Sequence, residues 1–204
     1  AGINSEIVDL KILYVEIESN VYYNTAQVAS SDSLKTEIVG ALNDYANNVE
    51  INKFGGRFKY SKLNTLIDRV DNGITSNITK VIVRRDLKAL LNQFAQYELC
   101  FGNRFYINPA GYNIKSTGFT INGFSQIAYI TDVPNKTISG ILDGSLKGTL
   151  SVVTKNNQGQ QVVLIKDAGI VDYMKGEVIL NTINITSTVS DNNIIEIQAF
   201  PESN

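Results

Sequence analysis

The sequence predicts an α+β fold: a small, mainly antiparallel sheet with two helices in the order β-α-α-β-β, followed by a β-rich region of short strands and hairpins. Three observations carry this. Apolar residues recur at steps of three and four only between Leu34 and Val70, the helical period. On either side of that stretch they alternate, the period of a half-buried strand. From Gly102 onward, Gly, Asn, Thr and Ser cluster and closely spaced glycines punctuate short apolar runs, as in all-β regions. The texture change places a boundary between an α+β domain at 1–101 and a β-rich domain at 102–204.

In chain order, Glu6 to Glu18 reads as a strand with Leu13, Val15 and Ile17 on one face and Tyr14, Glu16 and Glu18 on the other. Val8, Leu10 and Ile12 hold the opposite phase, so a bulge or a doubly covered stretch is expected at Ile12–Leu13. Asn20 to Ser31 reads as a loop with a short extended piece at Val21–Tyr23. Ser31, Asp32 and Ser33 offer N-caps for a helix whose stripe is Leu34, Ile38, Leu42, Tyr45 and Val49. Lys53-Phe54-Gly55-Gly56-Arg57-Phe58 breaks it. A shorter helix carries Leu63, Leu66, Ile67 and Val70 on one face and closes at Asp71-Asn72-Gly73. Strands follow at Ile78–Leu87 and Phe94–Phe101, and both helices are expected to cover one face of the resulting sheet.

In the second half, Leu150–Thr154 and Gln161–Lys166 flank the turn Asn156-Asn157-Gln158-Gly159. Ile170–Tyr173 and Glu177–Leu180 flank Met174-Lys175-Gly176, where glycine supplies the positive φ a tight turn needs. Ile194–Phe200 alternates as a last strand, ended by Pro201. The chain opens close to one strand pattern and stops just after another, so a longer parent protein is expected.

Composition narrows the chemistry. The 204 residues are 43% hydrophobic and 19% charged, enough to build a core. With no histidine, the chain has no His-based triad, His general base or His metal ligand. With one cysteine, Cys100, it forms no internal disulfide and no Cys-rich zinc site. The net charge of −2 opposes a whole-domain attraction to nucleic acid, and no run reaches the roughly 18 apolar residues of a membrane helix.

Each candidate site has a plainer reading. The glycines of Phe54–Phe58 with Arg57 resemble a phosphate cradle, but no Gly-Lys-Ser/Thr follows and no strand directly precedes, so a helix–helix connection with Phe54 and Phe58 in the core is expected. Arg84 and Arg85, adjacent on a strand, point to opposite faces, which suits salt bridging or an interface rim better than a phosphate site. Glu16 and Glu18 share a strand face and could act as paired carboxylates, but alternate acids also mark an exposed face. Cys100 reads as a buried structural thiol. These readings assign no catalytic residue, metal or cofactor.

The order of residues resembles the C-terminal part of the large baseplate wedge subunit of T-even-like contractile-tailed phages, of the baseplate J-like family. The likeness runs through the amphipathic helix with Ala41-Leu42-Asn43-Asp44-Tyr45, the Phe54-Gly55 turn, the Ser61-Lys62-Leu63 helix with Ile67-Asp68, and the strand Ile78–Arg84. FGGRFKYSKLNTLIDRVDNGITSNITKVIVRRDL is the nearest stretch, and the hairpin Gly169–Leu180 resembles the β-rich region that follows in those proteins. The resemblance implies structural work without catalysis: an inner ring in the virion tail baseplate, formed by self-association, here as a homodimer, and by contacts with other baseplate wedge proteins. Nucleic acid, membrane and small-molecule substrate are not among the expected partners. Tyr22, Tyr23, Arg57, Phe105 and Tyr106 are the candidate interface residues, because loop aromatics often anchor contacts. The competing reading is a receptor- or carbohydrate-binding tail or adhesin domain, which the Asn- and Thr-rich second half would suit but the absence of tryptophan does not.

Overall fold

The computed structural model describes residues 12–53 and 55–202. The element order is β1 (Tyr14–Tyr23), α1 (Ser31–Ala46), α2 (Val49–Asn52), α3 (Tyr60–Asp68), β2 (Ile74–Lys88), β3 (Phe94–Cys100), β4 (Lys115–Ser116), β5 (Phe119–Ile121), β6 (Ala128–Pro134), β7 (Lys147–Lys155), β8 (Gln161–Asp172), β9 (Glu177–Thr188) and β10 (Ile194–Ala199). This is an α+β fold. The expected strand residues Glu6–Lys11 and the ring of Phe54 lie outside the described residues.

The described chain divides into two compact units, one within residues 17–81 and a larger one of residues 12–16 with 82–202. Residues 101 and 102, where the composition changes, lie inside the larger unit. The reason is long-range pairing that composition does not record: β3 pairs with β9, placing Phe94 opposite Asn184 and Cys100 opposite Glu177, and β2 pairs with β10 from Val83↔Ala199 to Lys88↔Ile194.

In the smaller unit, Ser30 caps α1, its hydroxyl accepting from the Ser33 amide at 3.1 Å. Leu34, Ile38 and Tyr45 are buried on one stripe, as the spacing predicts. The helix ends at Ala46, before the expected Val49. The Asn47 amide closes onto Asn43 O at 2.9 Å, and Asn47-Asn48 is poor helix sequence, so the chain restarts as the single turn α2. α3 adds the fully buried Leu63 and Ile67. Against these pack Val21 and Tyr23 of β1, Ile74 and Val81 of β2, and Phe58, whose ring lies 6.5 Å from that of Tyr45. Phe58 thus enters the core, as expected of the loop that breaks the two helices. Strand β1 runs through Val21–Tyr23, where a loop with a short extended piece was expected. Ser19, Val21 and Tyr23 are half-buried, while Ile17, expected on one face with Leu13 and Val15, is exposed although those two are half-buried.

The larger unit is an antiparallel sheet whose path returns on itself. β6 pairs with β5, β5 with β9, β9 with β8, β8 with β7, and β7 with β6, closing a ring. Closure leaves no free edge among these five strands. Side chains from both sides of the composition change at 101–102 fill the core, including Val83, Leu99, Phe101, Phe105, Phe119, Leu150, Val171, Leu180, Ile185, Ile195 and Ile197. Both expected hairpins form. The β7–β8 hairpin has Lys155 opposite Gln161, and Asn156 Oδ1 accepts from the amides of Gln158 and Gln160 at 3.0 and 2.8 Å. In the β8–β9 hairpin Asp172 opposes Glu177, with Gly176 at φ 67° and its α-carbon so close to Asn103 that an added Cβ would lie 1.9 Å from Asn103 O. The final strand stops at Ala199, and Pro201 bridges back to Phe105.

Candidate interaction surface

Strand alternation sets Tyr22 outward from β1. It is 53% exposed, while its neighbour Tyr23 is half-buried against the small-unit core. Arg57, in the turn after Gly55-Gly56, is exposed. The pair Phe105-Tyr106 divides. Tyr106 is 52% exposed, but Phe105 is 2% exposed and packs edge-on to Phe101 at 5.0 Å between centroids. Phe105 therefore serves the core, because its amide is tied to Tyr173 O at 2.8 Å and that register turns its ring inward. It is not available as a surface anchor.

The two adjacent arginines point apart. Arg84 sits opposite Gln198 on β10, with its guanidinium 3.2 Å from Glu16 and 3.5 Å from Asp86; it also bonds Glu196 and covers the Tyr14 ring at 4.4 Å. Gln198 Nε2 in turn donates to Glu16 at 2.7 Å. One cation thus serves three carboxylates, the salt-bridging role expected of it. Arg85 lines a cavity of about 430 Å³ with Leu87, Tyr97, Leu99 and Cys100. Burial there pulls its guanidinium below the ordinary arginine range, and nearby Cys100 works in the opposite direction. Cys100 is half-buried rather than fully buried, with its sulfur 3.7 Å from Glu98.

The other candidate carboxylate, Glu18, is exposed and lies 4.0 Å from Lys80. Glu16 and Glu18 are each engaged with a cation. Among the described residues, no three Cys, Asp or Glu side chains are grouped to hold a metal ion, and no helix is long and apolar enough to cross a membrane.

Two features escaped the sequence reading. Asp132, fully buried, accepts from the Tyr173 hydroxyl at 2.6 Å and from the Ile114 amide at 2.7 Å. Nothing in the alternation of β6 marked an acid at a core position. The second is a groove of about 600 Å³ along α3, with Leu66, Val70 and Ala41 as apolar lining and Lys59, Lys62 and Arg69 as its charged residues. The signal for it was present in the stripe Lys62, Leu66 and Arg69-Val70, spaced along one helix face.

Residues 11–86 match the family of the baseplate structural protein gp6, C-terminal domain III. That segment, 76 of the 204 residues, is similar to a phage baseplate domain. The match encloses the whole of the compact unit 17–81, so the folded body and the family agree in extent. It contains the FGGRF loop and both helices whose order carried the resemblance, while the hairpin Gly169–Leu180 lies beyond it. Among curated proteins no significant match to the chain exists. The baseplate domain gives the chain its place, the tail baseplate of the phage virion.

Proposed function

We propose that this chain does structural rather than catalytic work, forming part of the baseplate inner ring by self-association as a homodimer and by contacts with other wedge proteins. The observation that carries the reading is the coincidence of the baseplate structural domain, residues 11–86, with a unit that has its own core. A unit that folds around Leu34, Ile38, Leu63 and Ile67 can present a fixed surface, so partners need not order it on binding. Tyr22, Tyr23 and Arg57 on that unit, and Tyr106 on the larger one, are the proposed contact residues. The near-neutral charge of −2 adds little self-repulsion.

Sedimentation across a concentration series tests this. The expected result is a reversible dimer with a dissociation constant of order micromolar, about 8 kcal/mol, weakened at least about tenfold by Tyr22→Ser. A strict monomer at high micromolar concentration contradicts self-association.

A further inference from the structure

The groove along α3 combines three properties. Its apolar lining comes from Leu66 of α3, Val70 just past the C-cap of that helix, and Ala41 of α1. Its flanks are polar and exposed, with Ser61 and Thr65 between the charges. Every charged side chain among the described lining residues is a cation: Lys59 at the helix N-cap, Lys62 in the first turn and Arg69 at the C-cap. None of the three makes an ion pair among the described residues. Lys62 leans over the Tyr45 ring at 5.4 Å, a contact that leaves its ammonium able to meet an anion. The one nearby acid of α3, Asp68, already accepts from Asn77 at 2.6 Å.

A chain with net charge −2 that collects three cations along one helix, beside an apolar strip, has an electrostatic preference there opposite to its average. We propose that this groove docks an acidic segment of a different baseplate protein, its carboxylates meeting Lys59, Lys62 and Arg69 and an apolar side chain resting on Leu66 and Val70. This deepens the baseplate reading and rests on it. The cations lie on the rim, so they steer encounter and reject basic partners, while the apolar strip slows release.

A carbodiimide, which joins an amine directly to a carboxylate in contact with it, tests this on baseplates isolated from the phage that encodes the chain. Mass spectrometry is expected to find Lys59 or Lys62 coupled to an Asp or Glu of another polypeptide, with apolar residues beside that acid. The double variant Lys62→Glu with Arg69→Glu is expected to remove the coupling and lower the yield of complete baseplates at least about tenfold, with an unchanged circular dichroism spectrum. Coupling only to a second copy of this chain overturns the proposal, as does coupling to a nucleic-acid phosphate. So does an absence of coupling at both lysines while other surface lysines react. If the chain is present in the baseplate but its groove does not couple, the groove assignment alone fails; if the chain is missing from the baseplate, the structural reading fails as well.

Discussion

The Tyr173 hydroxyl donates to Asp132 Oδ2 at 2.6 Å, joining two buried residues on β6 and on the turn after β8. Burial and the neighbouring carboxylate push the Tyr173 phenol far above its ordinary range, so it stays a donor at any pH the fold survives. Removing it with Tyr173→Phe leaves Asp132 Oδ2 buried without that partner. The expected loss is about 1–3 kcal/mol of unfolding free energy, read from the urea midpoint, whereas Tyr106→Phe on the surface should stay within about 0.5 kcal/mol.

The same pair sets a pH dependence. Burial raises the Asp132 carboxyl, and the bonds from Tyr173 and Ile114 only partly offset this. The folded state therefore holds this proton more tightly than the unfolded chain, in which an aspartate titrates near about 3.9. Its contribution is most favourable below that value and is lost as pH rises through the folded-state value. In urea titrations, stability of the wild type relative to Asp132→Asn should fall as pH increases from about 4; a difference that grows with pH would show that the carboxylate is favoured instead.

The sequence carried the local structure and missed the distant pairings. The stripes Leu34–Tyr45 and Leu63–Ile67 announced α1 and α3, and Asn156–Gly159 and Met174–Gly176 announced two hairpins, because helices and tight turns are written in neighbouring residues. The partners of β3 are 77 to 90 positions away on β9, and that of β2 is β10 at the far end of the chain, so no local pattern fixed the unit boundaries. Phe105 looked like a loop aromatic because its burial depends on Tyr173, 68 positions away, holding its amide, and on the bend at 102–103 that turns its ring onto Phe101. Of the candidate surface, the outward set of Tyr22 followed from strand alternation, once β1 is seen to continue to Tyr23.

Arg84 holds Glu16, Asp86 and Glu196 together, and its side chain is only 18% exposed. Arg84→Ala should cost about 1.5–3 kcal/mol by removing a charge-assisted bond to Glu196 and the ion pairs with Glu16 and Asp86, leaving three carboxylates facing one another. Arg84→Lys should recover part of this, since an ammonium offers one point charge instead of a fork. Thermal melts of the two variants check the order.

The smaller unit should respond to its own core. Leu63→Ala opens a cavity at a fully buried position and is expected to cost about 2–5 kcal/mol. Hydrogen exchange should show the faster opening in residues 17–81, with β7 and β8 of the other unit less affected. Equal loss of protection in both units would mean that they unfold as one.

Gly169 fits β8 against β9 only because it lacks a side chain: a Cβ would lie 2.1 Å from Ile179 O and 3.0 Å from the Leu180 Cα. Gly169→Ala must part the two backbones, with an expected cost of about 1–3 kcal/mol, measurable as a lowered melting temperature.

The central claim, a structural role by self-association inside the baseplate, is tested most directly by an electron cryomicroscopy reconstruction of the tail from the phage that encodes this chain. The account predicts density for the unit 17–81 in a ring about the tail axis, each copy touching a second copy over at least about 1,000 Å² of total buried surface. Copies held apart by other proteins, or density for this chain outside the baseplate, would contradict it.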